Sequence, residues 1–205
     1  MSCSEIFKGR RSIRKYLTKD VPKEVVFKVL EAARWAPSAH NAQPWRFIII
    51  DKADIKLKLA KEMANAWKKD LSKDGVPIEV QESLARTSIE QFTKAPLLIL
   101  ACLTMEDMDK YPDKKRQEFE HLMAIQSLAA AIENLLLAAW SEGLGACWFC
   151  APLFCQEVVK SLLKIPNNIE VQALITLGYP DEKPAPPQRK QLNEILHFNY
   201  WGNRL

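Results

Sequence analysis

Apolar residues recur at helical spacing early in the chain. Val25, Val29 and Ala33, flanked by Val26 and Leu30, form one stripe along an otherwise charged segment. Pro22 stands near the first turn of this predicted helix, a favoured place for proline, and Pro37 is expected to end it. A shorter helix is expected before it, over residues 4–9. The run Trp45–Ile50 then reads as a strand, buried on both faces in its second half. A helix with a charged face is predicted over residues 52–69, a loop over 70–80, and a further helix to about residue 93. Residues 96–103 form a second continuous apolar strand.

The longest helix is predicted over residues 117–141, with Gly143 as its C-terminal stop. Between Leu122 and Trp140 it is apolar nearly all round, which places a helix at the centre of a large structure or in a membrane. Gln126, Ser127, Glu133 and Asn134 interrupt the run and argue against a membrane span. Ala129, Ala130 and Ala131 permit close approach of another backbone, so the surplus apolar face is expected at a dimer interface. A strand over residues 145–149, a helix over 152–164 and a last strand over 171–179 complete the pattern. The tail carries Pro180, Pro184, Pro186 and Pro187, then His197, Phe198, Tyr200 and Trp201, an aromatic end expected to pack on something, the other subunit included. This alternation predicts an α+β or α/β sandwich with helices on both faces of a central sheet.

Composition narrows the class. A chain of 205 residues with 48% apolar and 26% charged residues is an ordinary globule. The net charge of +4 suits an anionic cofactor or substrate and is too small and dispersed to indicate nucleic acid. Five cysteines without regular spacing point to a reducing compartment, and nothing near Met1 resembles a signal peptide; the expected location is cytoplasmic.

Two segments carry candidate chemistry. Arg10, Arg11, Ser12 and Arg14 put three guanidinium groups and a hydroxyl just after a short helix. They read either as a solvated basic face or as a phosphate site built from charge-assisted hydrogen bonds. Ala36 to Phe47 is a stiff loop between helix and strand, with Pro37, Pro44 and the amides Asn41 and Gln43, as expected of a ligand-contacting loop. Cys147 and Cys150 form a C-x-x-C, but no second such pair accompanies it and the three histidines are scattered, so zinc lacks ligands. Buried strand cysteines are the expected reading. Gly143-Leu144-Gly145 is not a dinucleotide fingerprint, because Trp148 stands where the third glycine must be. With little support for catalysis by side chains alone, a cofactor is expected to carry the chemistry.

The segment Arg10 to Arg14, the loop Ala36 to Phe47, the stretch Gly143 to Trp148 and the pair Leu177 to Pro180 with Pro187-Gln188-Arg189 resemble, in order and spacing, the nitroreductase family of flavin-dependent oxidoreductases. The resemblance covers nearly the whole chain. It implies a single FMN-binding domain over residues 1–205, a central mixed, mostly antiparallel sheet, and an intertwined homodimer with FMN between subunits. It further implies that Arg10, Arg11 and Ser12 contact the phosphate and ribityl chain, that Arg189 closes on the phosphate, and that Arg14 faces the pyrimidine edge of the flavin. Pro37, Ser38, Ala39, Asn41 and Gln43 would come from the partner subunit, and Trp148, Phe149, Cys150 and Ala151 would pass beside the reactive ring. Some relatives have a glutamate followed by glycine where this chain has Cys150 and Ala151. The implied reaction is ping-pong hydride transfer from NADH or NADPH to a nitroaromatic or quinone, with no catalytic acid or base, no metal, no nucleic acid and no membrane. The same fold also serves dehalogenation, flavin fragmentation and dehydrogenation, or flavin storage. Specialised members add a lid, for which residues 70–93 and 104–117 are the candidates, with Met105, Met108, Tyr111 and Phe119 as pocket residues.

Overall fold

The computed structural model describes residues 2–204. Its helices are α1 (Cys3–Gly9), α2 (Lys23–Arg34), α3 (Ala53–Lys73), α4 (Ile78–Lys94), α5 (Lys114–Ser141), α6 (Gln156–Leu163) and α7 (Leu192–Ile195). The strands are β1 (Trp45–Ile50), β2 (Leu97–Thr104), β3 (Gly145–Phe149) and β4 (Ile169–Gly178). They form one antiparallel sheet in the order β1-β2-β4-β3. Parallel pairing enters through the bridge between Ser12 and Ala146, where the chain after α1 lies along the outer edge of β3.

Alternation along β2 builds two cores. Leu97, Ile99, Ala101 and Leu103 face one layer, where α2 and α5 supply Val26, Val29, Leu128, Ile132 and Leu135. Leu98, Leu100 and Cys102 face the other, where α3, α4 and α6 supply Leu59, Met63, Phe92 and Val159. On β4, Ala173, Ile175 and Leu177 join the first core, and Leu174 the second. Val171 also joins the second, although two residues from Ala173. The register shift between Ala101 and Cys102 explains this: the bulge places one extra residue, Gln172, in β4 and flips the alternation.

Several sequence expectations need correction. Residues 70–80 are not a loop: α3 runs on to Lys73, and α4 starts after Pro77, so only a short turn containing left-handed Gly75 separates them. The two helices pack side by side, so α3 and α4 form a helical hairpin that contains the lid candidate 70–93. β1 is an edge strand, with Ile49 39% exposed, so its second half is not buried on both faces. The apolar run alone does not distinguish a central strand from an edge strand beneath helices. Residues 152–164 divide into a 3₁₀ turn, Ala151–Phe154, and α6, which ends on left-handed Lys164.

Helix α5 is about 42 Å long at 1.5 Å per residue. It is long and apolar enough to cross a membrane by length and composition. Its inner stripe, Ala124, Leu128, Ala131, Leu135 and Ala139, is instead buried against α2 and the sheet. Its outer line runs through Phe119, Leu122, Gln126, Ala129, Glu133 and Trp140, partly or fully exposed in the single chain. Gly143 ends the helix in the left-handed region, as expected.

Candidate functional site

Helix α1 is fixed by a capping box between Ser2 and Glu5, and its end delivers the arginines. Arg10 leaves the helix in an extended conformation. Ile13 then donates its N–H to the carbonyl of Ala146 at 2.9 Å and is itself buried. The arginine segment is thus an added strip alongside β3. It fits closely because Gly145 has no side chain: a Cβ there would stand 2.7 Å from Cβ and Cγ2 of Ile13.

Among the described residues, Arg10 is the one arginine of this cluster with a carboxylate partner for its guanidinium, Glu133 at 3.8 Å. Arg11 donates to the carbonyls of Lys8 and Arg10, each at 2.7 Å. Arg14 points outward, its guanidinium 3.5 Å from the carbonyl of Ser12. A residue the sequence reading missed, Glu182, accepts the backbone N–H groups of Arg14 (2.5 Å) and Lys15 (3.1 Å). It anchors the start of the tail beside the cluster. Tyr16, also missed, closes the strip from behind: its hydroxyl bonds Thr176 Oγ1 at 2.6 Å and the carbonyl of Ile13 at 2.5 Å, and burial pushes its pKa up. Nothing in the local sequence marks either residue, because both contacts are long-range.

Beside this strip run Trp148, Phe149, Cys150 and Ala151. The indole Nε1 of Trp148 is buried without a hydrogen-bond partner, a costly state for a donor. Phe149 packs edge-on against Phe92, with centroids 5.1 Å apart. Together with Met63, Trp67 and Phe154 these rings line a hollow of about 510 Å³ that reaches Ala151.

The two cysteines of the C-x-x-C part company. Cys147 is buried in β3, and burial raises its pKa against the pull of Arg14 and a hydrogen bond from Ser12. Cys150 lies beyond the strand and is exposed, which corrects its reading as a buried strand residue. Cys102 and Cys155 are pushed up to about 11, both chiefly by burial. At mildly alkaline pH a thiol reagent is therefore expected to modify Cys3 and Cys150 in the native protein, and Cys102 and Cys147 only after denaturation. Labelling of Cys147 as fast as Cys150 would instead support a dithiol pair.

The loop before β1 is held in an unusual shape. His40, Asn41 and Gln43 all have positive φ (55°, 53° and 47°), which costs a non-glycine residue roughly 1–2 kcal/mol. Local bonds hold it there. Ser38 Oγ accepts from the N–H of Gln43 at 3.1 Å, Ala39 donates to Ser127 Oγ at 3.1 Å, and Pro44 accepts from Thr104 at 2.9 Å. Strain of this kind collects at ligand clamps and active sites. Pro37, Asn41 and Gln43 are exposed, and Ser38 and Ala39 half-buried.

Within one chain the loop and the arginines are far apart. The loop enters β1 at Trp45, opposite Leu103. The arginine strip meets β3 at Ala146, opposite Leu177, itself opposite Leu97. The two ends of β2 are separated by roughly 20 Å, and crossing from β1 to the strip adds about 19 Å laterally. Measured along the sheet backbone the two sets are thus roughly 28 Å apart, although α5 draws them closer, with Ala39 on Ser127 and Arg10 beside Glu133, about 9 Å of helix rise away. Arg189 lies on the exposed tail, and among the described residues no hydrogen bond or ion pair joins it to the arginine strip. The aromatic end is also open, with Tyr200 70% and Trp201 88% exposed, so its expected packing is not made within one chain.

A helix-flanked antiparallel sheet of this topology is the fold of solved nitroreductase-like proteins. A BluB-like flavoprotein from Clostridium difficile is 28% identical, with a TM-score of 0.79 over 97% of this chain and 99% of that one. A nitroreductase solved in complex with FMN, from Desulfovibrio desulfuricans, is 27% identical with a TM-score of 0.70, covering 94% of both chains. A relative from Archaeoglobus fulgidus, provisionally named an NADH dehydrogenase/NAD(P)H nitroreductase, is 32% identical over 97% of this chain and 98% of its own. Residues 7–179 match the nitroreductase family, and the chain belongs to that family of oxidoreductases.

Proposed function

We propose that the protein is a homodimeric, FMN-dependent oxidoreductase that moves a hydride from NADH or NADPH to an electron-poor acceptor, a nitroaromatic or a quinone, in a ping-pong cycle. The observation that carries this reading is the arginine strip bonded along β3, with two guanidinium groups lacking carboxylate partners among the described residues. Such a donor set fits a phosphorylated, polar ring system. The FMN complex of the Desulfovibrio relative supports the same cofactor.

When bound, FMN supplies reversible hydride chemistry that no side chain here offers. Arg10, Arg11 and Ser12 hold the phosphate and ribityl chain, and Arg189 closes over the phosphate from the tail. Arg14 sets a positive charge where ring reduction adds a negative one. Trp148, Phe149, Cys150 and Ala151 line the ring's edge through their backbone. Pro37, Ser38, Ala39, Asn41 and Gln43 reach the site from the second subunit, a reading supported by their position at the opposite end of the sheet from the arginine strip. The aromatic hollow beside Phe149 suits a flat, apolar acceptor, which would occupy it after the dinucleotide has left. In this reading the chain acts as one FMN-binding domain over residues 1–205, in the cytoplasm, where its five free cysteines stay reduced.

The test is an absorption spectrum of the purified protein before and after anaerobic addition of NADH or NADPH. A two-banded flavin spectrum that bleaches is expected. A colourless protein that FMN does not reconstitute, or a flavin that neither dinucleotide reduces, would overturn the reading.

A further inference from the structure

The strained loop before β1 carries one group that the flavin reading leaves unused. His40 Nε2 lies 3.3 Å from Glu120 Oε1 and 3.9 Å from Asp109 Oδ2. One ligand atom from each of the three residues falls within 4.8 Å of the others. They come from three separate segments: the loop, the connection between β2 and α5, and the second turn of α5. We propose that His40, Asp109 and Glu120 form a binding site for a divalent transition metal, for which zinc is the probe.

Glu120 decides the argument. It stands on the buried stripe of α5, one turn before Ala124, where an apolar residue would satisfy the helix pattern. Its side chain is only 2% exposed. One oxygen meets His40, while the other, Oε2, is buried with no hydrogen-bond partner among the described residues. A simple histidine–glutamate hydrogen bond leaves that second oxygen desolvated and unmatched. A cation bound at the shared end of the carboxylate compensates both oxygens at once. His40 and Asp109 are exposed on the outer side, which leaves an entry path and a position for water.

The donor set fits the metal. One imidazole nitrogen and two carboxylate oxygens are donors that divalent transition metals, zinc among them, accept, with further positions left open. Bonds of about 2.0–2.2 Å in a tetrahedron place ligand atoms about 3.3–3.6 Å apart. The His40–Glu120 spacing already meets this, and a small rotation of the exposed Asp109 carboxylate brings in the third. Such a metal would tie the left-handed turn at His40 and Asn41 to α5. His40 stands between Ala39 and Asn41 of the loop assigned above to the shared flavin site, so metal content and melting temperature, rather than flavin turnover, read this site.

The test uses the protein as purified, stripped with a chelator and equilibrated with Zn²⁺. Equilibrium dialysis with metal analysis is expected to give one zinc per chain, and zinc should raise the melting temperature through linkage. Asp109→Asn changes an exposed residue and should fold normally, while His40→Ala leaves the buried Glu120 carboxylate without its partner and should lower the metal-free melting temperature; each should weaken zinc binding at least about ten-fold and shrink the thermal shift. Glu120→Gln should do the same if it folds; if it does not, the two surface variants decide. No zinc at micromolar concentration would overturn the proposal and leave an ordinary histidine–glutamate contact. Zinc retained undiminished in His40→Ala would overturn it equally, assigning the metal to the thiols.

Discussion

Gly145→Ala is expected to lower FMN affinity at least about ten-fold while leaving most of the secondary structure in place. The added methyl is small, but its position is unforgiving: it would stand 2.7 Å from two atoms of Ile13 and 2.8 Å from a third. Gly145 has no left-handed backbone requirement, so the effect is one of contact, not of conformational strain. Ile13 cannot retreat, because it is 1% exposed and bonded through its N–H to Ala146. Overpacking of this kind costs roughly 1–3 kcal/mol. The cheapest relief is to lift residues 12–14 off the edge of β3, which displaces the guanidinium groups proposed to hold the flavin. Equilibrium titration of the apoprotein with FMN, with urea unfolding alongside, measures both effects. Adding Ile13→Ala removes the two Cγ contacts and should restore part of the affinity, a coupling that a double-mutant cycle reads directly. Wild-type affinity in Gly145→Ala would show that the arginine strip is not held where flavin binding needs it.

This close fit was invisible in the sequence, although both residues sit inside segments that carried the family resemblance. The strands and most helices were legible because their apolar periodicity is local: β1 and the end of α5 fall where the pattern puts them. The failures have a common physical origin. The segment 70–80 is polar and glycine-containing, yet it is mostly helix, because packing of α3 on α4 overrides weak local preference. β1 looked central by composition and is at an edge, since strand order is a property of the whole sheet. The candidate site divides in the same way. Arginines, amides and prolines advertise polar recognition from sequence alone, whereas Glu182, Tyr16 and Glu120 acquire meaning from residues 80 or more positions away. The separation of the loop from the arginines, at opposite corners of the sheet, likewise appears only once the register is known.

In the proposed shared site assembly is a condition of activity, and Ala129→Glu is expected to abolish both. Ala129 lies midway along the outer line of α5, between Gln126 and Glu133, half-exposed on the face whose far end meets α1 through Trp140 and the Arg10–Glu133 pair. In the isolated subunit the change is nearly neutral: glutamate is a good helix former, and the site is open to water, so the cost should stay within about 0.5 kcal/mol. In a two-fold dimer formed through this face, the same substitution buries an unpaired carboxylate close to its own symmetry mate and near Glu133. Burying unpaired charge costs several kcal/mol, enough to shift a micromolar dimer wholly to monomer. Sedimentation should therefore show a dimer for the wild type and a monomer for Ala129→Glu, with unchanged helix content by circular dichroism. Because the loop carrying Ser38, Asn41 and Gln43 then has no neighbouring arginine strip to face, the monomer should release its flavin. A wild-type protein that sediments as a monomer with one tightly bound FMN would contradict the shared site at its root.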